Sequence, residues 1–284
     1  VVDNGSQDSS VDLLQKCYKE AKVIALDKNY GFASAVNRGI EATKGEFVGL
    51  LNNDIELDPK WLEELHRALV GHPEVGACGP KLMRYRERER INVLGIRLNS
   101  NGEVEIIGAG EVDQGQYEEE RYVFGVNAGA SLYRRKMFED IGLFDEGFFA
   151  SFEDVDLSFR AQLAGYKALY VPTAIGYHMV GETVKRRRYF STYLNNRNKI
   201  LFLWKNLPGE MLKKYFWKIS WSKLGLFSKR VFFNFYKLRT LYFIRGTVAA
   251  FFHLPDILRQ RAKIQAMRRA SIAYLESMMD KDFL

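Results

Sequence analysis

Cysteine is nearly missing from this chain: Cys17 and Cys78 are the only two in 284 residues. Two thiols cannot build a disulfide framework, and the scarcity fits a reducing compartment. Long apolar runs are missing too. The longest charge-free stretches in the C-terminal part reach about ten residues, against the roughly 20 that a bilayer-spanning helix needs. No secretory signal pattern, internal repeat or low-complexity linker is visible. Histidine is rare, and three of its four occurrences look ordinary: His66 in an amphipathic helix, His72 in a Gly-His-Pro turn and His253 near the end.

The length suits one large domain with an appendage. A net charge of +7 conceals a sharp division. From Glu182 onward 22 Lys and Arg face 6 Asp and Glu, whereas residues 1–181 hold 20 basic and 29 acidic side chains. An acidic first part and a basic, aromatic-rich tail point to different partners.

Helical and strand patterns alternate over the first 54 residues. Val1-Val2 ends an apolar strand that breaks at Asp3-Asn-Gly-Ser6. Val11, Leu14 and Tyr18 recur at helical spacing, and Val23–Leu26 reads as a short buried strand. Phe32, Ala35, Val36, Gly39 and Ile40 make a second helical stripe, and Phe47–Leu51 reads as a strand covered on both faces. This order predicts a parallel sheet with helices packed on it, an α/β fold. Asp58 as N-cap, Pro59 at the first helical position and Gly71 past the end bracket a further helix. Asn101-Gly102 between two apolar runs predicts a hairpin. A helix is expected from Phe152 to Leu163, stopped by Gly165, and then a strand over Lys167–Val171 before Pro172. After about residue 190 the chain reads as helical, with breaks near Pro208-Gly209, Gly225, Gly246 and Pro255.

Several polar groups fall where such a fold binds ligands, beyond the carboxyl ends of strands. Asp3 is one; its carboxylate can accept from a nucleobase imide or a ribose hydroxyl, or simply form an Asx turn. Asn29-Tyr-Gly31 opens a helix, where Gly31 permits close backbone approach and the helix start favours phosphate oxygens. Asn37, two turns on, either braces this loop or touches the ligand. Asn52-Asn53-Asp54 ends the Phe47–Leu51 strand, as a polar turn or as a ligand set. Glu153 and Asp154 open the Phe152–Leu163 helix, where the macrodipole favours an ionised carboxylate.

Taken in order, Val1–Ser6, Asn29–Ile40, Asn52-Asn-Asp54, Glu153-Asp154 and His178 resemble family 2 glycosyltransferases of the inverting GT-A type, over roughly residues 1–205. The resemblance implies a GT-A-like nucleotide-binding sheet flanked by helices, with residues 206–284 as a helical C-terminal extension. It implies a divalent metal, Mn or Mg, on Asp54 and His178, and imidazole suits Mn²⁺ better. The family's Asp-x-Asp motif here begins with Asn52, which leaves Asp54 as its one certain anionic ligand; the donor's diphosphate would supply further oxygens. It also implies Asp154 as the base that takes the acceptor proton, Glu153 as its helper, and a nucleotide and donor pocket from Asp3, Asn29, Gly31, Asn37, Asn52, Asn53 and Gly129.

The expected partners are a nucleotide-sugar donor and a glycan or glycolipid acceptor, without nucleic acid, on the cytoplasmic side of a membrane. The tail segments Lys213–Trp217, Lys229–Phe233 and Tyr236–Arg239 mix charge and aromatics. They suit either an anionic membrane surface or packing on protein. Lys185-Arg-Arg-Arg188 suits a diphosphate, a lipid phosphate or solvent. A non-catalytic binding protein with a degenerate pocket is the rival class. In the resembled family an additional strand precedes the Val-Asp-Asn-Gly-Ser segment, so the chain reads as an N-terminally truncated fragment.

Overall fold

The computed structural model describes residues 1–179, 188–234 and 238–283. Its strands are β1 (Val2–Asp3), β2 (Ile24–Ala25), β3 (Phe47–Leu51), β4 (Ile55–Leu57), β5 (Val75–Arg84), β6 (Ile91–Val93), β7 (Gly95–Leu98), β8 (Val104–Ile107), β9 (Arg121–Val123), β10 (Ala130–Arg134) and β11 (Lys167–His178). Its helices are α1 (Ser10–Cys17), α2 (Phe32–Glu41), α3 (Trp61–Gly71), α4 (Arg135–Ile141), α5 (Glu153–Leu163), α6 (Arg188–Asn206), α7 (Gly209–Asn234), α8 (Leu238–Ala266) and α9 (Ile272–Ser277). Lys185, Arg186, Arg187, Tyr236 and Lys237 lie outside the described residues, as do the side chains of Arg188 and of residues 229–233.

The central sheet runs β3-β10-β5-β11-β4, with β6 added beside β5 and β9 beside β11. β5 is its spine, buried along its whole length except Arg84. The sheet is mixed rather than parallel: β5 and β11 are parallel, but β10 runs antiparallel to both β3 and β5, and β4 antiparallel to β11. The early βαβα order is local information, and it did not reveal that β10 returns from far along the chain to lie between β3 and β5. β1 and β2 form a separate parallel pair. β3 is less covered than expected: Val48 is buried but Gly49 and Leu51 are exposed. Among the described residues β10 is the only strand that pairs with it.

One face of the sheet is closed by α3, whose Trp61, Leu65 and Leu69 pack with Cys78, Leu132, Leu169 and Val171. The other is closed by α2, α4 and α5 through Ile40, Met137, Phe138, Leu157 and Ala161 around Tyr133 and Tyr170. α3 starts at Trp61, slightly later than its proline suggested, because Asp58 caps the preceding turn by accepting from the Lys60 amide at 2.9 Å. β7 and β8 make the hairpin expected around Asn101-Gly102, where Gly102 has φ +75°.

Pro172 does not end the last strand. β11 continues to His178, and its register against β5 shifts between Val171 and Ile175, a bulge that absorbs the missing proline N–H. Nor do the expected breaks at Gly225, Gly246 and Pro255 appear; Gly225 lies within α7, and Gly246 and Pro255 within α8. Gly246 has a packing role. A Cβ there would sit 2.6 Å from the Tyr193 carbonyl, so glycine lets α8 press closely on α6.

The helical tail shares a core with the α/β part. Phe148, Val155, Phe159 and Leu163 around α5 pack with Phe202, Leu203, Leu207, Met211, Ile264, Leu275 and Met278, so one apolar cluster extends across the 205/206 line. Phe202 is fully buried, its ring 5.8 Å from Phe159 and 6.0 Å from Phe152.

Candidate active site

Three backbone segments bring the expected acidic groups together. β3 ends at Leu51, and the Asn52 amide then donates to the Gly129 carbonyl at 2.7 Å. The Gly129 amide in turn donates to Asn127 Oδ1 at 2.9 Å, and Asn127 Nδ2 lies 3.5 Å from Asp154 Oδ2. The Asn52–Asp54 turn is thus tied to the start of α5 by the 127–129 segment. Gly129 is required by contact: a Cβ would meet Asn127 Oδ1 at 2.8 Å and Asn52 Nδ2 at 3.2 Å.

The strand register delivers His178. β11 pairs antiparallel with β4 so that His178 lies opposite Ile55, beside Asp54. His178 Nε2 stands 3.4 Å from Asp54 Oδ2, while Nδ1 lies 2.8 Å from Asn92 Oδ1. With Asn92 accepting, the ring proton sits on Nδ1, and the Nε2 lone pair turns toward the carboxylate. Asp54 Oδ1 is buried with no hydrogen-bond partner. A carboxylate with one oxygen buried and unpartnered and the other beside an imidazole nitrogen is a donor set that a divalent cation would satisfy. Among the described residues no group of three or more His, Cys, Asp or Glu is arranged for a metal, so Asp54 and His178 would need oxygens from a ligand to complete a shell. When no cation is bound, a proton on Nε2 as well lets His178 donate to Asp54, and that hydrogen bond holds the Asp54 carboxyl below its ordinary range.

Glu153 and Asp154 depart from the macrodipole expectation. Asp154 Oδ1 does accept from the Val155 amide at 2.8 Å, as a helix start allows. Burial outweighs it: loss of water pushes Asp154 up to about 6. Glu153 rises to about 8, chiefly through burial and then through repulsion from Asp154, and its Oε2 has no hydrogen-bond partner. Asp156, two residues on, is structural. Fully buried, it pairs with Arg160 at 2.9 Å and Lys205 at 2.8 Å, which keeps it ionised, its pKa lowered.

Several residues expected to bind the nucleotide lie at or near the loop at residues 29–31. The Asn4 side chain donates to the Gly31 carbonyl and accepts from the Tyr30 amide, both at 2.9 Å, and Asn29 Oδ1 accepts from the Gly31 amide. Asn29 therefore shapes the loop from within. Gly31 has φ +93°, and a Cβ on it would lie 2.5 Å from the Phe149 carbonyl. Asp3 is buried and holds the turn after β1 by accepting from the Ser6 amide at 3.0 Å. Asn53 is exposed on its turn.

Asn37 takes the first of its two expected uses, bracing, although of a different loop. Its amide donates to the Phe144 carbonyl and Glu146 Oε1 and accepts from the Phe144 amide, which spends it on bracing the 144–146 loop rather than on donor contact. The sequence reading missed Asn92, whose acceptor sets the His178 tautomer, and the helix α6 residues that hold the loop before Glu153. The latter left a signal: Leu194, Asn198, Phe202, Lys205 and Asn206 recur on one helical face, with polar residues at positions that only buried partners satisfy.

Residues 1–142 match the family model described as Glycosyl transferase family 2, and the chain belongs to that family. It is 26% identical over 226 residues to the N-acetylglucosaminyl-diphospho-decaprenol L-rhamnosyltransferase of Mycobacterium tuberculosis, covering 72% of this chain and 73% of that one. It is 27% identical over 192 residues to an uncharacterized protein of Sinorhizobium fredii, covering 63% of this chain but spanning only 20% of that protein's length. A mannosyltransferase from Pyrobaculum calidifontis, solved with GDP-Man and Mn²⁺, superposes with a TM-score of 0.52 over 94% of this chain and 75% of its own, at 15% identity. The fold is the GT-A type that the motifs implied.

Gly31→Ala is expected to destabilise the chain by about 1–3 kcal/mol, from the strained φ and the clash with Phe149. Gly49→Ala, whose nearest contact would be an ordinary 3.6 Å, serves as the reference. Urea denaturation midpoints of the two variants check the difference.

Proposed function

We propose that the chain carries out metal-dependent, inverting sugar transfer from a nucleotide donor to a hydroxyl of a growing, lipid-linked glycan. The carrying observation is the tie from Asp154 through Asn127 and Gly129 to the Asn52–Asp54 turn, with His178 beside Asp54. Asp54 and His178 would hold the cation, which when bound supplies positive charge against the donor's diphosphate. Asp154 takes the proton of the acceptor hydroxyl as that oxygen bonds to the anomeric carbon and the bond to the diphosphate oxygen breaks on the opposite face. Its raised pKa makes it a competent base that is still mostly ionised at neutral pH. Glu153, raised further, stays mostly protonated there, so the two adjacent carboxyls do not both carry charge. Asp3 and the Asn52-Asn53 amides suit the base and ribose, and Gly129 serves the pocket by letting Asn127 and Asn52 close on its backbone. The diphospho-decaprenol in the mycobacterial relative's name supports a lipid-linked acceptor.

Such an acceptor calls for contact with a membrane, and the tail has a surface for it. No helix among the described residues is long and apolar enough to cross a bilayer. Yet α7 exposes Trp217 (70%), Trp221 (68%) and Leu224 along one side with Lys213, and α8 exposes Leu241, Val248 and Phe252 (80%) with Arg245. Residues 209–266 carry 12 Lys and Arg against 2 Asp and Glu. A second copy meeting this face would bring like charge, whereas an anionic lipid surface neutralises it while accepting the rings. The opposite sides of the same helices, with Met211, Phe243, Ala250, Ile257 and Ile264, are buried. The buried side packs on protein, and the exposed side supports the lipid reading of the tail aromatics.

A panel of UDP-, dTDP- and GDP-sugars with a polyprenyl-diphosphate-linked acceptor tests the reaction. Transfer should fall as pH drops below about 6, where Asp154 gains its proton. Asp154→Asn should lower kcat by about 10²–10⁴-fold while leaving donor binding nearly intact. Turnover near the parent rate would move the base elsewhere. Asp54→Ala should abolish the Mn²⁺-dependent part of nucleoside diphosphate binding in calorimetry and spare nucleoside binding; unchanged Mn²⁺ affinity would refute the metal assignment.

The double variant Trp217→Ser, Trp221→Ser should release the protein from phosphatidylglycerol vesicles, and salt should release the parent chain. Equal sedimentation of parent and variant, or equal binding to pure phosphatidylcholine, would exclude this surface.

A further inference from the structure

The segment that delivers Glu153 and Asp154 has a backbone that does not hold itself. Phe149, Ser151 and Phe152 have φ of 65°, 68° and 71°, in the left-handed region that costs a non-glycine residue about 1–3 kcal/mol each. Phe152 matters most. Its carbonyl accepts the Asp156 amide at 2.9 Å, an opening hydrogen bond of α5, so its conformation sets where that helix starts and points.

What over-determines this backbone lies about 50 residues further on, in α6. Asn198 is fully buried, and its Nδ2 donates to three carbonyls of the strained run: Phe148 at 2.9 Å, Ala150 at 2.9 Å and Ser151 at 2.7 Å. Arg197 Nε donates to Asn198 Oδ1 at 2.8 Å, which fixes the amide with its NH₂ toward the loop. The same guanidinium reaches the Gly147 carbonyl at 2.7 Å and the Phe148 carbonyl at 3.1 Å. On its far side the loop meets the nucleotide segment, where the Ala33 amide donates to the Phe149 carbonyl at 3.3 Å. Side-chain donors that gather four of the five carbonyls from Gly147 to Ser151, all but that of Phe149, hold the chain in a path it would not otherwise keep.

We propose that Asn198, oriented by Arg197, is a positioning residue for the Glu153–Asp154 pair, acting through the carbonyls of Phe148, Ala150 and Ser151. This rests on the transferase reading for its link to turnover, but not for its link to carboxylate placement. A residue that merely docked α6 would lower stability and leave the carboxyls as they are. Asn198 would instead change them, because a relaxed loop admits water to two groups whose pKa values are raised by burial.

The test uses the full chain with Asn198→Leu, which keeps the approximate shape, adds no charge and removes the donors, Asn198→Ala, and Leu201→Ala as a control. Leu201 is buried on the same helix against Ala250 and Ile257, away from the loop. Carbon-13 titration of the side-chain carboxyls is expected to show Glu153 and Asp154 titrating at lower pH in both Asn198 variants and unchanged in Leu201→Ala. On a sugar-transfer assay kcat should fall about 100-fold in the Asn198 variants with donor KM little changed, the cost of a reacting group misplaced by about 1 Å. Unchanged titration curves in the Asn198 variants, or a kcat no lower than that of Leu201→Ala, would overturn the proposal. If the titrations shift as expected while the parent chain transfers no sugar, the transferase reading fails and the positioning role stands.

Discussion

Keeping two neighbouring carboxyls away from water is the constraint on which this structure depends. Glu153 and Asp154 open a helix, where the backbone alone would favour their ionised forms, and burial reverses that preference. Adjacent carboxyls in a dry setting share charge unwillingly, so one holds its proton while the other is free to take one. A group in that state is a useful base near neutral pH, whereas an ordinary surface aspartate would be too weak a base. The surrounding fold serves this condition. The sheet supplies the floor, the 127–129 segment ties the pair to the Asn52–Asp54 turn, and α6 closes over the loop that leads into it.

Charge that is not needed for chemistry is neutralised nearby. Asp156 would repel the pair if it were left alone; instead Arg160 and Lys205 flank it and Asn206 donates to it at 2.8 Å. Lys205 also reaches Asp145 at 2.5 Å, so one lysine of α6 joins the start of the 145–152 loop to α5. Removing one partner from such a buried set would leave an uncompensated charge, which is more damaging than the set is stabilising. Asparagine does the comparable work for neutral groups. Asn4, Asn37, Asn92, Asn127 and Asn198 each hold a loop or a ring in place, and an amide can donate and accept without bringing a charge into a site whose electrostatics are finely balanced.

The tail is therefore two things at once. Its inward residues are part of the core behind α5, and its outward residues present rings and positive charge to the surroundings. α6 thus holds the loop ahead of Glu153, while α7 and α8 carry the exposed face.

Local pattern was enough for much of this. The 3.6-residue stripes of α2, α3 and α5, the Asn-Gly hairpin and the strand at Phe47–Leu51 are legible because each is decided by neighbours a few residues away. The order and spacing of Asp3, Asn52–Asp54, Glu153-Asp154 and His178 identified the family and its fold. What the sequence could not decide depends on distant partners. The direction of β10 within the sheet, the bulge that carries β11 past Pro172 to place His178 beside Asp54, and the bracing use of Asn37 are of this kind. So is the pKa of Asp154. A helix start can be read from its own residues, but the burial that raises Asp154 comes from packing that only the folded chain supplies.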